Sequence, residues 1–205
     1  MVEVTIWSET KTGGKVVERF DTSTTTINLS DRRIATTDLS VLDQFPTLEV
    51  LTLSGNEIPF LDLSVIRDRT ELLELSLNGN VMDTIDLSPL EGCTGLMHLD
   101  LSFNILKSVD LSPLSNCKGL KALHLYDNKL ETVDLSTLSR CKKLRNLTLE
   151  KNSFDSIDVS ALFQCPSLVK LGLDSEVKIT AQAKLKDQAK IPLGLKPYLG
   201  QIEWI

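Results

Sequence analysis

Residues 96–120 read LMHLDLSFNILKSVDLSPLSNCKGL, and this stretch decides the fold. It opens on Leu96-x-x-Leu99-x-Leu101-x-x-Asn104-x-Leu106. A second phrase, Val109-Asp110-Leu111-Ser112-Pro113-Leu114, follows, and Cys117-x-x-Leu120 brings the chain back to its starting phase. Working outward, the same wording recurs on both sides at one spacing. Leu29, Leu53, Leu77, Leu101, Leu125, Leu149 and Leu173 lie 24 residues apart without an insertion. So do Ile27, Leu51, Leu75, Leu99, Leu123, Leu147 and Leu171, and a third column holds Asn56, Asn80, Asn104, Asn128 and Asn152. A fixed period of this length signals a solenoid, whose units cannot bury a core alone and must stack.

The LxxLxLxxNxL wording over residues 24–173 resembles the leucine-rich repeat family. The DLSPL phrase with its 24-residue step is similar to that of small stand-alone repeat proteins of Asgard archaea. The resemblance implies an α/β leucine-rich-repeat solenoid: a right-handed coil with a parallel concave sheet and short 3-10 or helical turns outside.

The residues support that shape. Alternation around Leu99 and Leu101 predicts a short strand with one face inward. The Asn column falls where the chain leaves the strand. An amide carries donors and an acceptor, so it can satisfy backbone groups that a bend leaves unpaired. Arg32 and Glu176 replace Asn in the first and last turns, as suits capping repeats. Outside, Asp38, Asp62, Asp86, Asp110, Asp134 and Asp158 form one column, and Ser40, Ser64, Ser88, Ser112, Ser136 and Ser160 another. Each Ser is predicted to N-cap a short helical turn, with Pro89 and Pro113 at the first helical position. The alternation in Val109-Asp110-Leu111 predicts a second, outer row of strands.

Three segments are expected in one continuous domain. Residues 1–21 form a β-hairpin cap, with Val2, Val4 and Ile6 alternating, Gly13-Gly14 turning and Trp7 assigned to the cap's core. Residues 22–175 hold seven repeats, and 176–205 form a C-terminal helical cap rather than a docking tail. There, Thr180 to Ala189 reads as a short helix, and Leu195, Leu199, Ile202 and Trp204 are placed over the last core layer.

Composition narrows function. The chain has 205 residues and a formal net charge of −6, with no basic footprint of the kind nucleic-acid binders show. No apolar run is long enough to span a bilayer. The opening MVEVTIWSET does not read as a secretory signal. Cys93, Cys117, Cys141 and Cys165 share one column, with Phe45 and Arg69 in the same place earlier. Stacked side chains point in parallel, so they are read as reduced, buried cysteines, which fits a cytoplasmic home. Asn28-Leu-Ser30 and Asn146-Leu-Thr148 match a glycosylation pattern, which is accidental in that setting.

The outward face of the inner strands is the candidate binding surface. Its columns run Thr26, Val50, Glu74, His98, Ala122, Asn146, Lys170; then Asn28, Thr52, Ser76, Asp100, His124, Thr148, Gly172; then Ser30, Ser54, Asn78, Ser102, Tyr126, Glu150, Asp174. The early part is small and neutral. The later part gathers His98, Asp100, Phe103, His124, Tyr126, Asp127, Glu150 and Lys151, aromatic residues ringed by charge as at interface centres. Phe103 has Asp31, Gly55, Gly79, Asp127, Lys151 and Ser175 as its counterparts, so the repeat does not demand an aromatic there.

The resemblance implies a non-enzymatic module that presents its concave sheet to a protein partner; the paired caps and single cysteine per turn suggest a monomer, and no cofactor, nucleic acid or membrane is expected. A second reading is an adaptor or regulatory subunit of an enzyme, of the phosphatase- or GTPase-associated kind. A third is a metal or small-ligand site at His98 and His124. An open sheet makes no pocket for it, and a line of aspartates is no calcium cage.

Overall fold

The computed structural model describes residues 2–205. Its inner wall is a seven-stranded parallel sheet, one strand per repeat, in which every neighbour along the chain is a neighbour in space. In chain order the strands are β1 (Glu3–Thr10), β2 (Lys15–Asp21), β3 (Thr26–Asn28), β4 (Ile34–Thr37), β5 (Val50–Thr52), β6 (Glu74–Ser76), β7 (His98–Asp100), β8 (Ala122–His124), β9 (Asn146–Thr148), β10 (Ser156–Asp158), β11 (Lys170–Gly172), β12 (Lys178–Ala181) and β13 (Glu203–Trp204). The inner sheet is β3-β5-β6-β7-β8-β9-β11, and its register pairs residues 24 apart, such as Leu99 with Leu123. The leucine columns are buried between turns, completely so except at Leu171 and Leu173 of the last turn.

The asparagine column stitches those turns together. Asn104 Nδ2 donates to Leu101 O of its own turn and to Leu77 O of the turn before, both at 3.1 Å. Its Oδ1 accepts from Met82 N at 3.1 Å. Asn56, Asn80, Asn128 and Asn152 repeat the pattern, so an inner-strand carbonyl such as Leu101 O receives one amide from its own turn and one from the next. In the first turn Arg32 instead reaches Glu18 of the hairpin at 2.7 Å, tying cap to solenoid.

The cysteine column is a second buried ladder. The Sγ atoms of Cys93, Cys117, Cys141 and Cys165 each lie against a carbonyl of the preceding turn, those of Ile66, Leu90, Leu114 and Leu138. Arg69 holds the same place and sends its guanidinium to Leu42 O and Phe45 O. All four thiols are free and buried. Burial pushes Cys117 and Cys165 up to about 12, Cys141 to about 11, and Cys93 up as well.

The outside differs from expectation in two respects. The serines do not N-cap. They are the first residues of 3-10 turns such as Ser112–Asn116, and the cap position is held by Leu111 and its equivalents, with no side-chain cap bond. The aspartate two residues before each serine does the work, its Oδ1 accepting the serine amide at 2.8 to 2.9 Å in all six turns. Nor is there an outer row of strands: Val109-Asp110-Leu111 is irregular. Asp158 makes the same serine bond and still ends strand β10, so the bond does not forbid an extended chain; β10 has a paired neighbour in β12, which the central turns lack. Outer pairing occurs at the C-terminal end, in the sheet β10-β12-β13.

At the N-terminal end, β1 pairs antiparallel with β2 and with β4. Val4, Ile6 and Ser8 face inward, and Phe20 meets Phe45 of the first repeat edge-on at 6.4 Å. Trp7 has the opposite parity and is 55% exposed, which corrects its assignment to the core. At the other end, residues 180–189 are not one helix. Lys178–Ala181 is a strand and Ala183–Leu185 a short 3-10 turn, because β10 offers a free edge that the chain extends. A second 3-10 turn, Leu193–Tyr198, lies on β11, with Gly194 N donating to Leu168 O and Tyr198 Oη to Leu171 O. Leu195 and Ile202 are buried, Leu199 is half-buried, and Trp204 stacks edge-on with Phe163 at 5.8 Å.

Candidate functional site: the C-terminal half of the concave face

Each inner strand presents three residues, and the bend that follows it sets the next one. Asp31, Gly55, Gly79, Phe103, Asp127 and Lys151, one per repeat, all have φ between 54° and 69°. The bend requires this left-handed turn just before the Asn ladder. Gly adopts it freely and Asp tolerates it, whereas a bulky side chain is strained there. Phe103 at φ 55° and Lys151 at φ 55° are therefore costly residues at a position where the fold accepts Gly or Asp.

Both side chains converge on one residue of the strand face. The Phe103 and Tyr126 rings meet edge-on at 5.1 Å between centroids, with planes at 65°. Lys151 Nζ lies 5.0 Å from the Tyr126 ring centroid on the other side and 3.7 Å from Asp127 Oδ2. The Tyr126 phenol and then the Asp127 carboxylate hold the Lys151 ammonium above its ordinary value. Phe103 is nevertheless 52% exposed. The result is an aromatic pair flanked by one cation, fixed by neighbouring turns and open to solvent.

Beside it is a shallow depression of about 430 Å³ lined by Asp100, Ser102, Phe103, His124, Tyr126, Thr148, Glu150 and Lys170. It brings together Asp100, Phe103, His124, Tyr126 and Glu150 of the residues singled out in the sequence. Asp127 and Lys151 border it through Tyr126. His98 lies outside it, exposed at the first position of β7. His124 Nδ1 is held against Thr148 Oγ1 at 2.9 Å, and Asp100 Oδ1 accepts from Ser102 N at 2.9 Å.

Sequence reasoning passed over Thr148, Lys170 and Gly172. A Cβ at Gly172 would collide with the Glu150 carboxylate, so this glycine makes the notch in which Glu150 lies across β11. Glu150 Oε2 is enclosed there without a hydrogen-bond partner among the described residues. The signal was legible as the one glycine in its column, among Asn28, Thr52, Ser76, Asp100, His124 and Thr148. Among the described residues, no three His, Cys, Asp or Glu side chains converge to hold a metal, and no helix is long and apolar enough to cross a membrane.

With this geometry in view, the family model for leucine-rich repeats matches residues 94–154 and 118–177. The chain carries leucine-rich repeats. Two solved structures are similar to it. One is a leucine-rich-repeat protein of Leptospira interrogans, at 27% identity and a TM-score of 0.59, covering 68% of this chain and 34% of that one. The other is an internalin of Listeria monocytogenes, at 25% identity and a TM-score of 0.56, covering 76% of this chain and 48% of that one. The present chain thus matches about a third of the first chain's length and about half of the second's. No curated protein matches it.

Leucine-rich repeat domains are protein-interaction modules as a class, and the features of this site are those of a binding face. An aromatic pair, a cation and scattered hydrogen-bonding groups stand on a rigid ladder.

Proposed function

We propose that this repeat protein is a non-enzymatic binding module whose partner-binding surface is the C-terminal half of the concave sheet, centred on Phe103 and Tyr126. One observation carries the reading: Phe103 keeps a large, half-exposed apolar side chain at a left-handed position where Asp31, Gly55, Gly79 and Asp127 stand in other repeats and Lys151 in one. Strain of that kind persists where function compensates it. Tyr126, propped between Phe103 and Lys151, is a pre-ordered aromatic of the sort that anchors interfaces.

The partner is a protein, and an adaptor or regulatory role within an enzyme assembly is one form the module takes. Four buried, free thiols suit a reducing compartment, and we place the protein in the cytoplasm as a monomer. Affinity capture by wild type, Tyr126→Ala, Phe103→Asn and Asp110→Ala, compared by mass spectrometry, tests the site. A partner held by wild type and Asp110→Ala and lost with the two concave variants supports it. A partner lost with Asp110→Ala but kept by the other two moves the site to the outer face.

A further inference from the structure

The concave sheet has two long rims. Phe103 and Lys151 stand on the rim where strands end. The opposite rim, where the chain turns from each 3-10 turn into the next strand, changes sign along the solenoid. In the early turns it carries Glu49, Asp68, Glu71 and Glu74, with Arg67 beside them and Arg69 turned onto Leu42 O and Phe45 O, so acidic groups outnumber basic ones there. In the last three it carries Lys118, Lys121, Lys142, Lys143, Arg145 and Lys170. These share columns: Arg145 occupies the position of Glu49, Lys143 that of Glu71, and Lys170 that of Glu74. The intervening turns hold neutral residues there, such as Met97, Gly95 and His98, so the repeat requires charge at none of these places.

All six cations are exposed except Lys121, which is half-buried. Arg145 N donates to Lys121 O at 2.8 Å, so these two residues start adjacent turns, about 4.8 Å apart. Lys118 and Lys142 are likewise one turn apart. Segments 116–122, 140–146 and 164–170 contain no Asp or Glu. Among the described residues the ion pairs are Arg32–Glu18, Arg69–Asp43, Lys151–Asp127 and Lys178–Glu203, and none involves these six. Like charges stacked on neighbouring strands destabilise a sheet. A chain of net charge −6 nevertheless concentrates them here.

We infer that this basic rim is a docking site for a short acidic segment of a protein partner. The inference rests on the reading of the chain as a protein-binding module, and it names the partner's chemistry. Length selects the class of anion. The basic stretch spans three turns, roughly 10–15 Å at the inter-strand spacing, which is the reach of about four extended residues. A longer polyanion or an anionic bilayer would run onto Glu49, Asp68, Glu71 and Glu74 of the same rim and be repelled. An acidic run of a few residues meets cations alone. The rim also flanks the depression beside Tyr126, because Lys170 belongs to both. A partner segment whose acidic run sits about six extended residues, roughly 20 Å, from an aromatic or aliphatic anchor would engage both rims.

The test uses the full chain and a fluorescein-labelled hexaglutamate peptide, followed by anisotropy. Saturable binding that weakens between about 50 and about 200 mM salt is expected. Lys121→Glu/Arg145→Glu should weaken it about tenfold or more, as reversal within a complementary patch does. A control with the same charge change on the hairpin, Lys11→Glu/Lys15→Glu, should change it less than about twofold. Lys118→Gln/Lys142→Gln/Lys143→Gln, which neutralises exposed side chains alone, gives a second reading should the reversed pair fail to fold. Hexaglutamate binding by the rim variants and partner capture by Tyr126→Ala are separate readouts, so a failure of the rim and a failure of the aromatic site are told apart. The inference is overturned by absence of saturable binding, by equal loss in the hairpin control, or by tighter binding of a thymidine oligonucleotide or phosphatidylserine vesicles than of the peptide.

Discussion

The asparagine column and the aspartate column obey the same 24-residue period, yet they do different jobs. Each asparagine makes bonds to two turns and all but the half-buried Asn152 are buried; Asn104 reaches Leu101 in one turn and Leu77 and Met82 in another. Each aspartate is exposed and bonds within its own turn, to the serine two residues on. Periodicity therefore reports that a position matters to every repeat, and burial decides whether it matters to stacking or to local shape. A buried amide is costly to lose because water cannot replace it, whereas an exposed carboxylate is replaced by solvent at once.

The widest gap between the two columns should appear on truncation. Asn104→Ala removes the acceptor of the buried Met82 N–H and one of the two donors on Leu77 O and Leu101 O. One orphaned donor, two weakened carbonyls and a small cavity together should cost about 2–3 kcal/mol. Urea unfolding measures this. A midpoint equal to wild type would mean that the ladder does not hold the turns together.

The cysteine ladder is buried like the asparagines, and its test is alkaline. Folded-state values of about 12, 11 and 12 for Cys117, Cys141 and Cys165 lie above the ordinary 9.0 because burial disfavours the thiolate. Above that ordinary value the unfolded chain loses thiol protons that the folded chain keeps. Their contribution is thus fully present below pH 9, and it declines as pH rises towards 11 to 12. Replacing one thiol by a group that cannot titrate removes its share of the slope. Between pH 9 and about 10.5, Cys117→Ala should lose roughly 2 kcal/mol less stability than wild type, at 1.36 kcal/mol per unit. Parallel stability–pH curves would show that the thiol is not desolvated in solution. Loss of protection at pH 8 towards a thiol reagent, before unfolding, would point the same way.

The interior was legible from the sequence because its constraints repeat. Leu29 to Leu173, the asparagines and the cysteines each announce themselves as a column, and a buried column must be filled alike in every turn. Features set by backbone geometry or by neighbours in other turns were harder to read. Whether Ser112 or Asp110 shapes the 3-10 turn depends on where the turn begins, and outer strands form only where a neighbour pairs with them, as β12 does with β10. Trp7 could have been placed by its parity against Ile6. The strand at Lys178–Ala181 depends on a free edge at β10, which no local pattern announces. On the concave face the residues around Tyr126 were nameable from alternation. The left-handed bend that makes Phe103 unusual, the notch at Gly172 and the stacking of Lys121 beside Arg145 depend on three-dimensional neighbours.

Phe103 lies between the two columns in kind: large and apolar, but half-exposed and strained. A buried Phe typically costs about 3–5 kcal/mol to truncate. Phe103→Asn should change stability by less than about 1 kcal/mol, because relief of left-handed strain offsets the lost edge-on contact with Tyr126, itself worth about 0.5–1.5 kcal/mol. The same variant should abolish partner capture. Destabilisation by several kcal/mol would make Phe103 a packing residue and remove the reason for placing the site there.

The smallest effect is expected at the aspartates, and it completes the contrast. Asp110 accepts from Ser112 N and Ser112 Oγ at 2.8 Å, and these bonds hold its carboxyl below the ordinary carboxylate value. The side chain is exposed, so water can take over each bond when the carboxylate is gone. Asp110→Ala should therefore cost far less than Asn104→Ala. The sign with pH is opposite to that of the thiols. A carboxylate with a lowered folded value stabilises above its ordinary value of 3.8, and its contribution is lost as pH falls through the lower folded value. Asp110→Asn sharpens the point, since its amide oxygen can still accept from Ser112 N while carrying no charge. Melts of Asp110→Ala, Asp110→Asn and wild type should nearly coincide at pH 7, and any small wild-type advantage should vanish as pH falls below the carboxylate range. A loss for Asp110→Ala as large as that for Asn104→Ala would show that the outer column also couples turns, and the distinction between joining and shaping would fail.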